Sequence, residues 1–308
     1  MFEFPDELMF IKNGRAKQKQ SNESMEGKLC VIAGATSGVG HEAAKALAAG
    51  GANLVIVVRN ESKAKAVKQE IEENFPVFVD YFIADFSDLK QVEKAALAIL
   101  EKYPKVDVLI NSAGIHNTRR ILNKDNVEMV FCVNHLASFL LTNLLLERMI
   151  QSAPSRIIQV NSEGHRFSGV NIDDVNWEKH LYTGLRGYGA SKSAQLLTVW
   201  QMAQELEGTG VTINAMHPGG VRTNIGNNNG WLYRWYLHHV TWHFLKDPKI
   251  SGDALYYLAS SSELYDVSGK FFNLTILETP ARHALDPIKQ KQIWDLSMKM
   301  TGLAKQDD

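Results

Sequence analysis

Short apolar runs alternate along the chain with longer stretches in which apolar positions recur every three or four residues. The runs Leu29–Ala33, Leu54–Val58, Val77–Ile83, Val106–Ile110, Arg156–Val160, Val211–Ala215 and Phe271–Leu274 predict strands. They are nearly continuous rather than alternating, the signature of strands buried on both faces of a parallel sheet. Helical spacing fills the intervals, near 39–50, 61–74, 88–103, 124–150, 187–207, 251–260 and 287–301. Such alternation predicts an α/β fold, a doubly wound parallel sheet of about seven strands with helices on both faces. No internal repeat and no Pro/Gly linker divides residues 25–308, which are expected to form one domain. Residues 1–24 read as an N-terminal extension, a short helix or partly ordered arm.

Composition narrows the function. An apolar fraction of 45% over 308 residues supplies a large core. Lys and Arg number 33 against 34 Asp and Glu, a net charge of −1. That balance offers no field for nucleic acid or an anionic membrane and suits a small, weakly charged substrate. Cys30 and Cys132 lie in apolar surroundings without a partner at metal-ligand spacing, so no metal site and a reduced, cytoplasmic setting are expected. No uninterrupted apolar run exceeds six residues. The most apolar helix, 124–150, is interrupted by Asn134, His135, Ser138, Thr142 and Asn143, which favours a core helix over a membrane span. The opening MFEFPDELMFIKNG carries acids and a proline where a signal peptide is basic and then apolar, and a soluble protein is expected.

Candidate chemistry begins after the first strand, at Gly34-Ala-Thr36-Ser37-Gly38-Val39-Gly40. Glycines there let the backbone turn sharply and approach a pyrophosphate, with a helix N-terminus supplying N–H groups. The spacing is G-x-x-x-G-x-G, and alone it is also compatible with an ordinary glycine-rich turn. The second strand ends in Arg59-Asn60, where an enzyme using NAD tends to carry an acid for the ribose 2′-hydroxyl. An Arg can meet a 2′-phosphate instead, which favours NADP(H) over NAD(H).

A second constellation lies further on. Tyr188-Gly-Ala-Ser-Lys192 opens a helix, and a separation of four puts the phenol and the amine on one face. A neighbouring ammonium, together with the positive nicotinamide of an oxidised cofactor, is expected to lower a phenol pKa that is ordinarily about 10. Ser162 and Asn111 each follow or end a strand, where open α/β sheets place their ligands. Asn134, in a helix, reads by itself as a packing residue satisfied by backbone.

Five segments in order, GATSGVG, NSAG, VNS, YGASK and HPGGVRT, resemble the short-chain dehydrogenase/reductase family from about Glu26 to the end. The stretches GHRFSGVNIDDVNW, ELEGTGVTINAMHPGGVRTNI and FFNLTILETPARHALD are most similar to its retinol-dehydrogenase-like group. The resemblance implies a Rossmann-type fold and an oxidoreductase moving a hydride between NADP(H) and a carbonyl or alcohol. It implies Tyr188 as general acid/base, Lys192 as its pKa-lowering partner on the nicotinamide ribose, and Ser162 orienting the substrate oxygen. Asn134 would hold a water linking Lys192 to solvent. The glycine turn would hold the pyrophosphate; Asp85 and Phe86 would meet the adenine; Asn111, Ala113 and Gly114 would lie near the adenosine ribose. Pro218, Gly219, Val221 and Thr223 would line the nicotinamide end, and the 4-pro-S hydride would be transferred. His217 is expected to be structural. Ala33, Ser112 and Asn161 depart from the usual family residues without removing any of Asn134, Ser162, Tyr188 and Lys192.

Beyond Thr223 the segment NIGNNNGWLYRWYLHHVTWHFLKDP holds Trp231, Trp235 and Trp242 on one helical side. In the family this region covers the substrate, so a lid around 224–248 and an apolar substrate of the retinoid, steroid or lipid-aldehyde kind are implied. A subunit or membrane contact is the other use of such a stripe, and family analogy makes helices 124–150 and 187–207 candidates for oligomer contacts. Relatives often carry an N-terminal membrane anchor, and none is read here. A non-catalytic NADP(H)-binding redox sensor or interaction module is the alternative function.

Overall fold

The computed structural model describes residues 13, 15–221 and 246–304. Eight strands form one sheet in the order β3-β2-β1-β4-β5-β6-β7-β8. They are β1 (Leu29–Ala33), β2 (Asn53–Val58), β3 (Val79–Ile83), β4 (Val108–Asn111), β5 (Ser155–Val160), β6 (Val211–His217), β7 (Phe271–Asn273) and β8 (Ile276–Leu277). The first seven are parallel; β8 runs antiparallel to β7. The helices are α1 (Gly38–Ala49), α2 (Glu61–Asn74), α3 (Leu89–Lys102), α4 (Met129–Gln151), α5 (Gly184–Glu205), α6 (Lys249–Ser260) and α7 (Pro287–Met300).

The apolar runs become central strands because both faces are covered. Side chains alternate across a strand, and in β1 Cys30 and Ile32 enter the core beneath α1 and α6 while Leu29, Val31 and Ala33 enter the one beneath α3, α4 and α5. Only a run apolar at every position fills both layers. Strand β3, at the sheet edge, reads VDYFI and is only partly buried. By length and composition α4 could cross a membrane, yet 78% of its most apolar 18-residue window is buried inside the fold. It is a core helix in this structure.

Two elements, α4 and β8, depart from the periodicity. Helix α4 begins at Met129, not near 124, because Leu122 pairs with Glu128 around a turn in which Asn126 has φ +59°. The Asn123 side chain accepts from Asp125 and Val127 N–H groups, a local bond that competes with helix. Within α4, residues Cys132–Leu136 form a π-helical turn that holds Asn134. Strand β8 was not expected: its hairpin turns through Leu274-Thr275 with Leu274 at φ +56°, a position where glycine or asparagine usually signals a turn. Of the lid predicted around 224–248, residues 224–245, with the three tryptophans, lie outside the described residues, as does Thr223.

Residues 15–24 run along the β7–β8 edge and α6. Lys19 N–H donates to Thr275 Oγ1 at 2.8 Å, and Tyr256 Oη donates to the Glu23 carbonyl at 2.5 Å.

Candidate active site

The chain winds outward from β1 to β2 and β3, then crosses back to β4, so the strand order reverses at the β1–β4 boundary. At the carboxyl ends of the strands this reversal leaves a crevice, the usual ligand position in an open α/β sheet. Here it is a cleft of about 840 Å³.

One end of the cleft is backbone. Gly34 and Gly38 adopt φ +84° and +58°, the left-handed region that favours glycine. A Cβ at Gly34 would lie 2.7 Å from the Ala113 backbone, and one at Gly40 2.3 Å from the Gly34 carbonyl oxygen. Two close approaches thus fold the turn tightly onto the start of α1. Thr36, Ser37, Val39 and the three glycines all line the cleft. Ser37, at the N-cap of α1, makes no capping hydrogen bond, and the first turn holds no acid. The helix N-terminus is therefore open to an anion, as a pyrophosphate requires.

Beside it stand Arg59 and Asn60, as predicted, and Lys63 one helical turn on. Asn60 caps α2 by accepting from Lys63 N–H at 2.9 Å. Lys63 was not foreseen; a cation four residues after Arg59 at the start of the following helix was the available signal. Asp85 and Phe86 line the wall after β3, Asp85 accepting from both N–H and Oγ of Ser87. Ala113, Gly114, Pro218, Gly219 and Val221 also line the cleft.

Asn111 does not. Its side chain turns into the core and donates to Thr142 Oγ1 at 2.8 Å, because alternate residues of a strand face opposite sides of the sheet. Ser112, the next residue, takes the place on the wall.

The other end is side chain. Tyr188 and Lys192 share one face of α5, the amine 5.8 Å from the phenol ring centroid, and both line the cleft with Ser162. The Tyr188 ring rests on Gly164, where a Cβ would lie 2.5 Å from it; the need for glycine so close to Ser162 was a legible but unused signal. Burial raises the Tyr188 phenol above its ordinary pKa, and a hydrogen bond with Ser162 works against that. The expected lowering by Lys192 is not what these surroundings produce, because burial also drives the Lys192 amine down, to about 7. A half-neutral amine has little charge to lend.

Lys192 Nζ donates to Val160 O and to Gln195 Oε1, both at 3.0 Å. Gln195 also accepts from Asn161 Nδ2 at 3.1 Å and donates to the Asn134 carbonyl. Asn134 is fully buried below the cleft and does not line it. Its side chain clamps Ile115, accepting from the N–H at 2.8 Å and donating to the carbonyl at 3.1 Å, and donates to Ser191 Oγ. Asn134 is thus set behind the cleft rather than in it, and Gln195, unremarked in the sequence, joins it to Lys192. His217 lines the cleft with Nδ1 accepting from Glu163 N–H at 3.3 Å; burial lowers it to about 4, which fits the structural part expected of it. No group of three or more His, Cys, Asp or Glu suited to a metal occurs among the described residues.

Comparison with known proteins agrees. Residues 28–230 match the family model for short chain dehydrogenases. Human retinol dehydrogenase 13 is 36% identical over 288 residues, covering 92% of this chain and 87% of that protein. A solved structure of an uncharacterized protein from Mycobacterium paratuberculosis superposes with a TM-score of 0.72 at 28% identity, covering 91% of this chain and 95% of the other. A Shigella flexneri short chain dehydrogenase solved in complex with NADP shares the fold, with a TM-score of 0.67 at 22% identity over 82% of this chain and 99% of that one. With its glycine turn, reversed strand order and retinol-dehydrogenase relatives, the chain belongs to the short-chain dehydrogenase family, as an NAD(P)-dependent oxidoreductase acting on CH–OH groups of small molecules.

Proposed function

We propose that this protein interconverts a carbonyl and an alcohol on an apolar substrate with NADP(H), using Tyr188 as general acid/base. The observation that carries the reading is a single cleft with an anion-ready glycine turn and two cations at one end and Ser162, Tyr188 and Lys192 at the other. Arg59 and Lys63 favour a 2′-phosphate, since an acid at that corner would repel it. Ile121, an exposed isoleucine, lines the cleft, and the exposed Phe167, Leu181 and Leu185 lie within seven residues of Ser162 or Tyr188 along the chain; these support an apolar substrate. So does the name of the human relative.

The residues present fit a dinucleotide. The glycine turn and α1 would hold its pyrophosphate, Arg59 and Lys63 its 2′-phosphate, and Lys192 its nicotinamide ribose. When bound, the cofactor supplies or accepts the hydride. Ser162 Oγ holds the substrate oxygen in line with the phenol. In reduction Tyr188 gives its proton to that oxygen; in oxidation it takes the proton back. Burial keeps the phenol protonated at neutral pH, the state reduction requires. Gln195 and the Val160 carbonyl orient the amine of Lys192 beneath it.

The test follows absorbance of the reduced nicotinamide with retinal, nonanal and a steroid ketone. Wild-type protein is expected to turn over at least one of them with NADPH. Tyr188→Phe should bind NADPH within about threefold, by protein fluorescence, and lose roughly 10²–10⁴ in kcat. Turnover undiminished in Tyr188→Phe would exclude the phenol as the proton carrier.

A further inference from the structure

Immediately after Ser162, and outside the cleft wall, lies a buried cluster that the chemistry above does not use. Glu163 and Glu278 share the Arg166 guanidinium, which donates from Nε to Glu163 Oε2 and from Nη2 to Glu278 Oε1 at 2.8 Å, and each carboxyl acts on the protonation of the other. Side-chain exposure is 12% for Glu163 and 1% for Glu278. Two carboxylates against one guanidinium would bury a net negative charge, which is costly unless a proton neutralises it.

The donors reveal where that proton sits. Glu278 Oε2 accepts from Asn13 Nδ2 at 2.8 Å and from Asn273 Nδ2 at 3.1 Å, and Oε1 accepts from Arg166. Every oxygen of Glu278 thus faces donors and suits a carboxylate. Glu163 Oε1 is buried with no donor in reach. An oxygen with no donor to accept from suits the protonated form of the carboxyl, as the neighbouring Glu278 carboxylate also does. Burial and the Glu278 carboxylate push Glu163 up, to about 8, with Arg166 opposing; burial alone would raise Glu278, but its hydrogen bonds outweigh that and hold it low.

We propose that Glu163 is a positioning residue: as the proton-bearing half of the Glu163–Arg166–Glu278 cluster, it seats the turn that presents Ser162 and the His217 wall to the substrate. This rests on the reading of Ser162 and Tyr188 given under Proposed function. The connections are short. Glu163 N–H donates to His217 Nδ1, while Gly164 N–H donates to Ser162 Oγ. The Ser162 carbonyl meets His165 Nδ1 at 2.8 Å, and His165 Nε2 accepts from Ala281 N–H. His283 Nε2 meets the His165 carbonyl at 2.8 Å, and Arg166 donates to the Thr279 carbonyl. The turn is thereby strapped to segment 278–283. The titratable groups facing Glu163 are Arg166 on its own turn, Glu278 and His283 from the strap, and His165 and His217. Burial lowers both His165 and His217 to about 4, so they stay neutral while Glu163 titrates. Loss of the Glu163 proton puts two negative charges in contact and expels one from the strap.

Glu163→Gln imitates the protonated carboxyl, whereas Glu278→Gln turns an amide toward three donors. The folded pKa of Glu163 is raised, so wild-type stability is lost as pH rises from its ordinary range, about 4.5, through about 8. Thermal unfolding from pH 5 to 9 should therefore show Glu163→Gln gaining Tm over wild type as pH rises, the two converging near pH 5. Glu278→Gln should be less stable than wild type throughout. The ratio of kcat/KM at pH 9 to that at pH 7, measured with NADPH and nonanal, should be about tenfold higher in Glu163→Gln than in wild type, one protonation step. Contributions from Lys192 are common to both proteins and cancel. A Tm gap independent of pH overturns the shared proton, whatever the activity. A pH-dependent Tm gap with identical kcat/KM ratios overturns the positioning role. Absence of turnover by wild-type protein on every probe carbonyl, with NADPH bound, would count against the reductase reading and leave the Tm result to decide the proton.

Discussion

At the scale of single residues, the active-site lysine depends on a glutamine. Lys192 is buried and its amine is driven to about 7, so only its acceptors, Val160 O and Gln195 Oε1, favour the ammonium form. A hydrogen bond to a charged group contributes about 1.5–3 kcal/mol. Gln195→Leu should therefore lower Lys192 by a further one to two pK units or about that, and reduce kcat/KM by roughly tenfold or more near pH 8, with a loss of about twofold or less near pH 5, where at least about half of the amine is protonated in either protein. A pH–rate profile measures this; an equal loss at both pH values would leave Gln195 a packing residue only. The phenol, the amine, Ser162 and the glycine turn were all legible from motif and strand-end position. Gln195 was not, because its importance comes from three partners on α4, α5 and the β5 end that only folding assembles. Asn111 was misplaced for a related reason: the motif names a strand end, but the pleat decides which face each side chain takes.

At the scale of elements, the β7–β8 hairpin sets two effects against each other. Leu274 sits at φ +56°, which costs about 1–2 kcal/mol for a residue with a Cβ. Its side chain is 1% exposed and packs in the core beside Gly219. Removing a buried leucine costs about 2–5 kcal/mol. Burial wins, and Leu274→Gly should be destabilised by about 1–3 kcal/mol despite the relieved backbone. Urea unfolding with an unchanged slope checks it; a stabilised variant would reverse the ranking. The same balance explains why β8 was illegible: a hairpin held by burial carries no glycine or asparagine at its two turn positions, Leu274 and Thr275. The late start of α4 has a similar origin, since Asn123 and Asn126 favour local turns that average periodicity smooths over. The central strands were legible because burial on both faces leaves an unbroken apolar run.

At the scale of the whole molecule, the two ends of the cleft answer to different parts of the chain. Arg59 and Lys63 stand at the β2–α2 junction, remote from Tyr188 in sequence. Arg59→Ala should weaken NADPH binding by roughly 10–100-fold, the worth of one or two charge-assisted bonds. Lys63→Ala should give a smaller loss, and neither should weaken NADH. Paired fluorescence titrations decide it, and tighter binding of NADH by wild-type protein would remove the 2′-phosphate from the argument.

Because Arg59 follows β2 and Ser162 follows β5 at the same carboxyl edge of one sheet, the sheet also acts as a ruler. Between the end of β2 and the end of β5 lie three inter-strand steps, β2-β1-β4-β5, which at about 4.8 Å each fix a span of about 14 Å. A compound bearing only the bisphosphorylated adenosine could anchor at one mark on that scale and fall short of the other. On the proposed reading, such a half-length molecule would compete for the cleft yet leave Tyr188 and Ser162 free for a carbonyl, so recognition and reaction would be separable by distance alone.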